Sequence, residues 1–196
     1  MRRWLRSRPL RTRQQRERLL QNPALGADER ALLKLIKTRI SPNDGMYVGN
    51  GDHYFRVGLS AIHCIEQALS AAKMDKVTNA LDLPCGHGRV LRFLLQRWPK
   101  TKFTACDLDL DGVDFCTQAL GAEPAYSQRD LRALFLGQEF DLIWCGSLIT
   151  HLDDMKIAAL LDFFQRHLSP GGLVVFTAAG DRVVEWMVSG EFDYGI

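Results

Sequence analysis

Apolar residues in the first part of the chain recur at helical spacing and then give way to turn residues. In ALLKLIKTR, Leu32, Leu35 and Ile36 share one helical face, and Asp28 stands where an N-cap is expected. Ser41-Pro42-Asn43-Asp44-Gly45 breaks that helix, and Gly49-Asn50-Gly51 marks a second turn. Asp52 then caps a longer helix through YFRVGLSAIHCIEQALSAA, with Phe55, Leu59, Ile62 and Leu69 mostly on one side. From Val77 the pattern changes. The short apolar runs VTNALDL, KFTACDL, PAYS, FDLIWCG and LVVFTAA read as strands. Between them, RVLRFLLQRW, DGVDFCTQAL and DDMKIAALLDFFQRHL read as helices, with a short helical turn around Asp130 to Leu136. Ser169-Pro170-Gly171-Gly172 reads as a turn before the last strand, and a final helix is expected near Asp181 to Val188.

Strands that alternate with helices need crossover connections. The predicted fold is therefore α/β: a doubly wound, mostly parallel, Rossmann-like sheet of about five strands with helices on both faces. Residues 1–50 read as a basic arm with an accessory helix, and residues 51–196 as the ligand-binding domain. Ligands of such sheets bind beyond the carboxyl ends of the strands, where the strand order reverses.

That rule directs attention to Leu81-Asp82-Leu83-Pro84-Cys85-Gly86-His87-Gly88, at the end of the first strand. Two glycines at a helix entrance allow a tight turn and close approach of a ligand to the backbone. A dinucleotide fingerprint would require a small residue where Leu91 stands, which argues against an NAD-dependent oxidoreductase. Asp82 would also sit poorly beside a pyrophosphate, whereas it suits a ligand carrying an ammonium group. Asp107, at the tip of the second strand, can accept both hydroxyl hydrogens of a ribose. Asp130, after the third strand, can accept the amino hydrogens of adenine, with Leu108 and Leu131 flanking the ring. A helix N-cap is the competing role for Asp130.

Composition adds little and charge adds one feature. The chain is 46% hydrophobic and 24% charged, ordinary for a globular protein. No apolar stretch reaches the roughly 20 residues of a membrane helix. Eight arginines and Glu17 give residues 1–18 a charge of +7, leaving −5 for the remainder of a chain whose net charge is +2. The basic start reads as a solvated helix or frayed arm, with Pro9 interrupting any amphipathic helix early; a transit peptide, a nucleic-acid arm and an anionic-membrane contact are its alternatives. The acidic remainder has no broad basic face and no aromatic-basic stacking platform, so a nucleic-acid partner is disfavoured. The five cysteines include no Cys-x-x-Cys pair and no zinc-like histidine spacing. Their odd number and the lack of a secretory signal fit a reducing cytosol. Cys85, Cys106 and Cys145, at strand ends, read as packing residues.

Taken together, ALDLPCGHGRV, FTACDLD, SQRDL, FDLIWCGSLITHL and LSPGGLVVFT resemble the class I S-adenosylmethionine-dependent methyltransferase superfamily, in order and spacing, from about residue 77 to 178. The resemblance implies S-adenosylmethionine as cofactor and methyl transfer as activity. It maps Asp82, Pro84, Cys85, Gly86 and Gly88 onto the cofactor loop, with Pro84 in place of the usual first glycine. It makes Asp107 the ribose acid and Asp130 the adenine contact, and sets Cys145-Gly146-Ser147 beside the transferred methyl. The blocks DLPCGHGRVL and FDLIWCGSLITHLD are also similar to methyltransferases that accompany bacterial glycan-assembly enzymes. The acceptor implied is an oxygen or nitrogen of a small-molecule or glycan-like compound.

The acceptor side is less legible. Methyl transfer from a sulfonium is an in-line displacement in which positioning does much of the work, and a base is needed only where the acceptor must lose a proton. His151 is the nearest candidate base, with Asp153 and Asp154 behind it; a purely structural histidine is the competing reading. His53 and Tyr54 are placed by topology to close over the cofactor. Members of the superfamily usually carry an antiparallel hairpin beside the fifth strand, for which the closing Glu191-Phe192-Asp193-Tyr194-Gly195-Ile196 leaves no room. The fifth strand is then expected to be an open apolar edge; either the product is truncated, or a partner or second copy covers it. A non-catalytic, truncated cofactor-binding or interaction module with a methyltransferase fold is the rival reading.

Overall fold

The computed structural model describes residues 8–191; the first seven residues of the basic arm and residues 192–196 lie outside the described part, as do the side chains of residues 8–10. Of the two readings of the basic start, a solvated helix or a frayed arm, residues 8–20 form a helix, α1 (Arg8–Leu20). Pro9 falls in its first turn, where a missing N–H breaks no helical bond. The helix is docked: Gln15 Oε1 accepts from Tyr47 Oη at 2.7 Å and from Gly51 N at 3.0 Å, while its Nε2 donates to Gly49 O. Helix α2 (Ala27–Leu35) starts one turn before the expected apolar run, because Gly26 N is bound by the Glu29 carboxylate. Leu32, Leu33 and Ile36 are buried, but Leu35 is 62% exposed, so the buried stripe runs through Leu33 instead. In helix α3 (Gly51–Ala71) the cap is Asn50, whose side chain accepts from His53 N, and Asp52 pairs with Arg56 one turn on. Phe55, Leu59, Ile62 and Leu69 are buried as their spacing predicts.

The sheet follows in β1 (Asn79–Asp82), β2 (Lys102–Asp107), β3 (Glu123–Tyr126), β4 (Phe140–Cys145) and β5 (Leu168–Phe176). Every pairing is parallel, in the order β3-β2-β1-β4-β5. Helices α4 (Leu91–Arg97), α5 (Leu110–Phe115), α6 (Asp154–His167) and α7 (Asp181–Ser189) make or follow the crossovers. α5 runs on as one π turn, Cys116–Leu120, ended by Gly121 at φ 94°. The stretch from Asp130 to Leu136 forms turns and no helix.

Alternation along the strands sorts side chains to the two faces. Ala80, Ala105, Leu142 and Trp144 pack with α1 to α5, whereas Leu81, Cys106, Ile143 and Cys145 pack with α6. Helices α1 and α2 thus share a core with the sheet. The Ser169-Pro170-Gly171-Gly172 segment is part of β5 and not a separate turn; its turn chemistry survives as Gly171 at φ 79° and a register shift opposite Phe140 and Leu142. Among the described residues β5 is one of the two edge strands of the sheet, with Phe176 exposed.

Candidate functional site

The chain reverses direction across the sheet between β1 and β4, so the crevice opens beyond Asp82 and Cys145. Two adjoining cavities occupy it. One, of about 320 Å³, is lined by Asp82, Pro84, Cys85, Gly86, Asp107, Gly146, Ser147 and His151 among others. The second, of about 270 Å³, lies on the β2–β3 side against Leu108, Asp130, Leu131, Leu148 and Leu152. Pro84 and Asp107 line both, which makes the two cavities one bent cleft hinged at the tip of β2.

The loop after β1 is built from the backbone. Cys85 N bonds to Cys106 O at 3.0 Å and Gly88 N returns to Cys85 O at 2.9 Å, closing a tight turn. Asp107 fixes the turn's position: its Oδ2 accepts from Gly86 N at 2.7 Å and its Oδ1 from Asp109 N at 2.9 Å. Each oxygen keeps a second lone pair, so the carboxylate can hold the loop and still accept hydroxyls from the cleft. Gly86 has φ 49°, and a Cβ there would meet nothing, so it presents open backbone to the cavity. Asp82 is different in kind. It is 1% exposed, and its Oδ2 has no hydrogen-bond partner. Burial, and after it the Asp107 carboxylate, push its carboxyl well above the usual carboxylate range.

Several expected site residues lie elsewhere. Gly88 does not line the cleft; it has φ 74°, and a Cβ would fall 2.3 Å from Leu120 Cδ1. Its smallness serves the packing of the loop on the π turn after α5. Replacing Gly88 by Ala is expected to cost about 1–3 kcal/mol through backbone strain and overpacking, seen as a lower urea midpoint; an unchanged midpoint would refute that packing role. Cys145 is fully buried among α6 contacts, and burial, then the Asp82 charge, push its thiol up to about 12. It is a neutral core residue, and only Gly146 and Ser147 of its tripeptide reach the cleft. Ser147 takes φ 62°, held by its N–H to Thr177 Oγ1 at 2.7 Å. Cys85 lines the cavity, but its thiol is directed at Gly86 O, as is that of Cys116.

Asp130 lines the smaller cavity and also accepts from Arg132 N at 3.0 Å within a local turn; no helix follows it, so the N-cap alternative is not met. His151 reaches the larger cavity from a single helical turn, Ile149–His151. Asp153 does not stand behind it. Its carboxylate caps α6 through Lys156 N and binds Lys156 Nζ, which holds its pKa below the ordinary range. His53 is exposed outside the cleft, and Tyr54 is wholly buried beneath it. Tyr54 acts at one remove, donating to Asp44 Oδ2 at 2.6 Å, and Asp44 lines the wall.

Residues 80–172 match a family profile described as a methyltransferase domain. The chain is 32% identical over 106 residues to a trans-aconitate 2-methyltransferase of Azoarcus sp. (strain BH72), covering 54% of this chain and 41% of the relative. It is 26% identical over 154 residues to a fatty-acid O-methyltransferase of Mycolicibacterium smegmatis, covering 74% and 52%. The chain thus spans about half the length of these curated relatives or less. Among solved structures, it superposes on CalS10, an amino pentose methyltransferase from Micromonospora echinaspora, with TM-score 0.56, 22% identity and coverage of 72% and 58%. The N-methyltransferase NodS from Bradyrhizobium japonicum gives TM-score 0.52, 21% identity and coverage of 91% and 78%. These two share the fold.

The sheet-bearing core thus matches a methyltransferase-domain profile over residues 80–172 and shares its fold with these two methyltransferases. Its cleft is suited to S-adenosylmethionine. The smaller cavity offers an apolar slot with a carboxylate at its mouth, suited to adenine; Asp107 at the hinge suits a ribose. The buried, unpartnered Asp82 oxygen suits an ammonium group, which would end its isolation.

Asp44, Met46, Val57, Arg89 and Thr177 also line this cleft and were not expected from the sequence. Arg89 carries a faint signal, as a cation next to the second glycine of the loop. Asp44 and Met46 lie in a segment whose only sequence signature is turn chemistry, so nothing local marks them.

Proposed function

We propose that this domain binds S-adenosylmethionine along the bent cleft and transfers its methyl group to an oxygen or nitrogen of a small-molecule or glycan-like acceptor. The observation that carries the reading is the pair of acids at the ends of β1 and β2: Asp82, buried with an unpartnered oxygen, and Asp107, holding the glycine loop at the hinge between the cavities. When bound, the cofactor supplies an electrophilic methyl on a sulfonium centre. Asp107 holds the ribose and Asp130 the adenine edge, while Leu108 and Leu131 sandwich the ring. Asp82 receives the ammonium, and Gly146 and Ser147 wall the methyl side of the larger cavity. The two curated relatives support an acid or other oxygen acceptor by their names; glycan-like acceptors rest on the local resemblance of the two blocks.

His151 has a conditional role. A carboxylate acceptor is already ionised at neutral pH and needs no base, so His151 would only orient it. A hydroxyl or protonated amine would hand its proton to this imidazole. The non-catalytic binding module remains the second reading, because the chain spans only part of the relatives' length.

Calorimetric titration of the chain with S-adenosylmethionine tests the cofactor half. Binding is expected for the native chain and for His151→Ala, weakened about 10-fold or more in Asp107→Ala, which loses charge-assisted hydrogen bonds. NAD should give no heat. A folded sample that ignores S-adenosylmethionine would sink the reading. Binding without methyl transfer to any carboxylate, hydroxyl or amine in an acceptor panel would favour the module.

A further inference from the structure

Helix α1 fixes a basic face on the domain. Thr12 and Leu19 bury one side of it, and the Gln15 side chain ties it to Tyr47, Gly49 and Gly51. Its arginines are thus displayed by a folded surface. Arg11, Arg13 and Arg18 are exposed, and among the described residues none of them makes an ion pair. Lys34 joins them from α2, where Arg16 Nη1 donates to Lys34 O at 3.4 Å. The neighbouring acids are already matched. Glu17, the only acid of α1, is bound to Arg16 at 2.5 Å, and Asp52 at the start of α3 to Arg56 at 2.7 Å. Beside this face the fold leaves two apolar side chains in water: Val48 is 82% exposed and Met46 58%. Arg11 and Arg18 lie one turn before and one turn after Gln15, which holds Gly49, so they flank the Val48 segment. Met46 also lines the larger cavity, so the surface adjoins the cleft.

We infer that this face docks on a lipid bilayer carrying anionic headgroups, with Arg11, Arg13, Arg18 and Lys34 on the phosphates and Val48 and Met46 inserted among the lipids. The contact is peripheral, since no helix among the described residues is long and apolar enough to cross a membrane. Unpaired cations next to exposed apolar side chains are what the boundary between headgroups and acyl chains rewards. Nucleic acid would meet the cations and offer nothing to Val48. The exposed aromatic residues on which bases would stack, Tyr126, Phe135, Phe176 and Trp186, lie on other elements. The sequence leading into α1, MRRWLRS, adds Arg2, Arg3 and Arg6 together with Trp4 and Leu5, residue types suited to the same boundary. With +7 on residues 1–18 and −5 on the remainder, a negative surface attracts the α1 end and repels the rest. Docking in this orientation sets the cleft beside the bilayer, and it does not depend on the cofactor reading.

Co-sedimentation of the full chain with vesicles tests the assignment. Vesicles of phosphatidylcholine alone are compared with vesicles of equal parts phosphatidylcholine and phosphatidylglycerol. The native chain should bind the anionic vesicles, leave the neutral ones, and lose affinity as salt rises from about 0.1 to 0.5 M. Each basic side chain at such a surface is worth about fivefold, so Arg11→Gln with Arg18→Gln should weaken binding about 10- to 30-fold. Val48→Ser, which changes no charge, should weaken it about 3- to 10-fold. All three side chains are exposed, so both variants should melt with the native chain. No binding to the anionic vesicles at low salt would overturn the proposal. Binding that neither variant weakens would also overturn it, by placing the contact elsewhere. A single-stranded oligonucleotide is the rival probe. If it binds more tightly than the anionic vesicles, through Arg11 and Arg18 and without regard to Val48, the face belongs to nucleic acid and the bilayer assignment falls. Calorimetry with S-adenosylmethionine reads the cofactor separately, so the two readings fail independently.

Discussion

Arg92→Met is expected to destabilise the protein by about 3–5 kcal/mol, the range for removing one member of a buried charged network. The side chain is 1% exposed, yet every donor of its guanidinium is used. Nε donates to Gly88 O, Nη1 to Lys37 O and Arg39 O, and Nη2 to Tyr54 Oη and His87 O. Three parts of the chain meet there: the segment after α2, the start of α3 and the cofactor loop. The cation also lies 5.3 Å from the Tyr54 ring centroid, and its counter-charge is Asp44, one hydrogen bond beyond Tyr54. Burial raises the Tyr54 hydroxyl pKa, with Arg92 opposing and Asp44 reinforcing that shift, so the ring remains a neutral donor to Asp44. Methionine matches the stem but leaves the carbonyls of Lys37 and Arg39 without this partner. At about 2–4 °C per kcal/mol for a domain of this size, the melting temperature should fall by roughly 6–20 °C. Lysine should restore only part of it, because a point charge cannot serve the same fork of acceptors. Differential scanning calorimetry decides the matter: a fall of less than about 2 °C would show that the network is dispensable.

Arg92 also shows where sequence reading stops. Asp82, Asp107 and the glycine loop were legible because strand, acid and glycine sit within a few residues of one another and the parallel topology fixes which strand ends face the ligand. Arg92 sits in the middle of a run, RVLRFLLQRW, whose pattern reads as an ordinary amphipathic helix. Its partners are 53 and 55 residues back in the chain, at Arg39 and Lys37, so no local window contains the network. Gly88 was legible as a required glycine and misread in purpose. A Gly-x-Gly pair does not say which glycine faces the ligand and which faces a helix, and here the second abuts Leu120. In Ser169-Pro170-Gly171-Gly172 the turn chemistry was real, but pairing with β4 overrode it and left only an irregularity in the strand. Tyr54 was expected over the cofactor; its ring instead lies under the loop and acts through Asp44.

Binding of S-adenosylmethionine is expected to release about one proton at the acidic end of the pH range, and the source is Asp82. In the ligand-free protein its carboxyl titrates well above the ordinary value of about 3.9 for Asp, first because it is buried and second because Asp107 is near. The unfolded chain ionises this group near 3.9. Between the two values the folded chain holds a proton that the unfolded chain lacks. The stability contributed by this group is therefore complete below about pH 3.9 and is lost, by up to about 1.4 kcal/mol per pH unit, as pH rises through the folded pKa. An ammonium beside the orphaned oxygen reverses the preference and expels the proton, so affinity should rise about tenfold per pH unit within that window and level off above it. The surrounding groups fit this assignment. Asp107 and the loop thiol of Cys85 lie on one side, with the thiols of Cys106 and Cys145 in the neighbouring strands, and both of those thiols are held neutral by burial. Arg89, Asp44 and His151 line the same cavity. Asp82→Asn should abolish the proton release, weaken the cofactor about 10- to 100-fold, and flatten the decline in ligand-free stability with rising pH. Titrations between pH 5 and 8 in phosphate and in a buffer of larger ionisation enthalpy read the proton directly. Equal binding heats in the two buffers at every pH, with native protein that binds, would show that Asp82 is already ionised and that its isolation in the cleft is met by some other means.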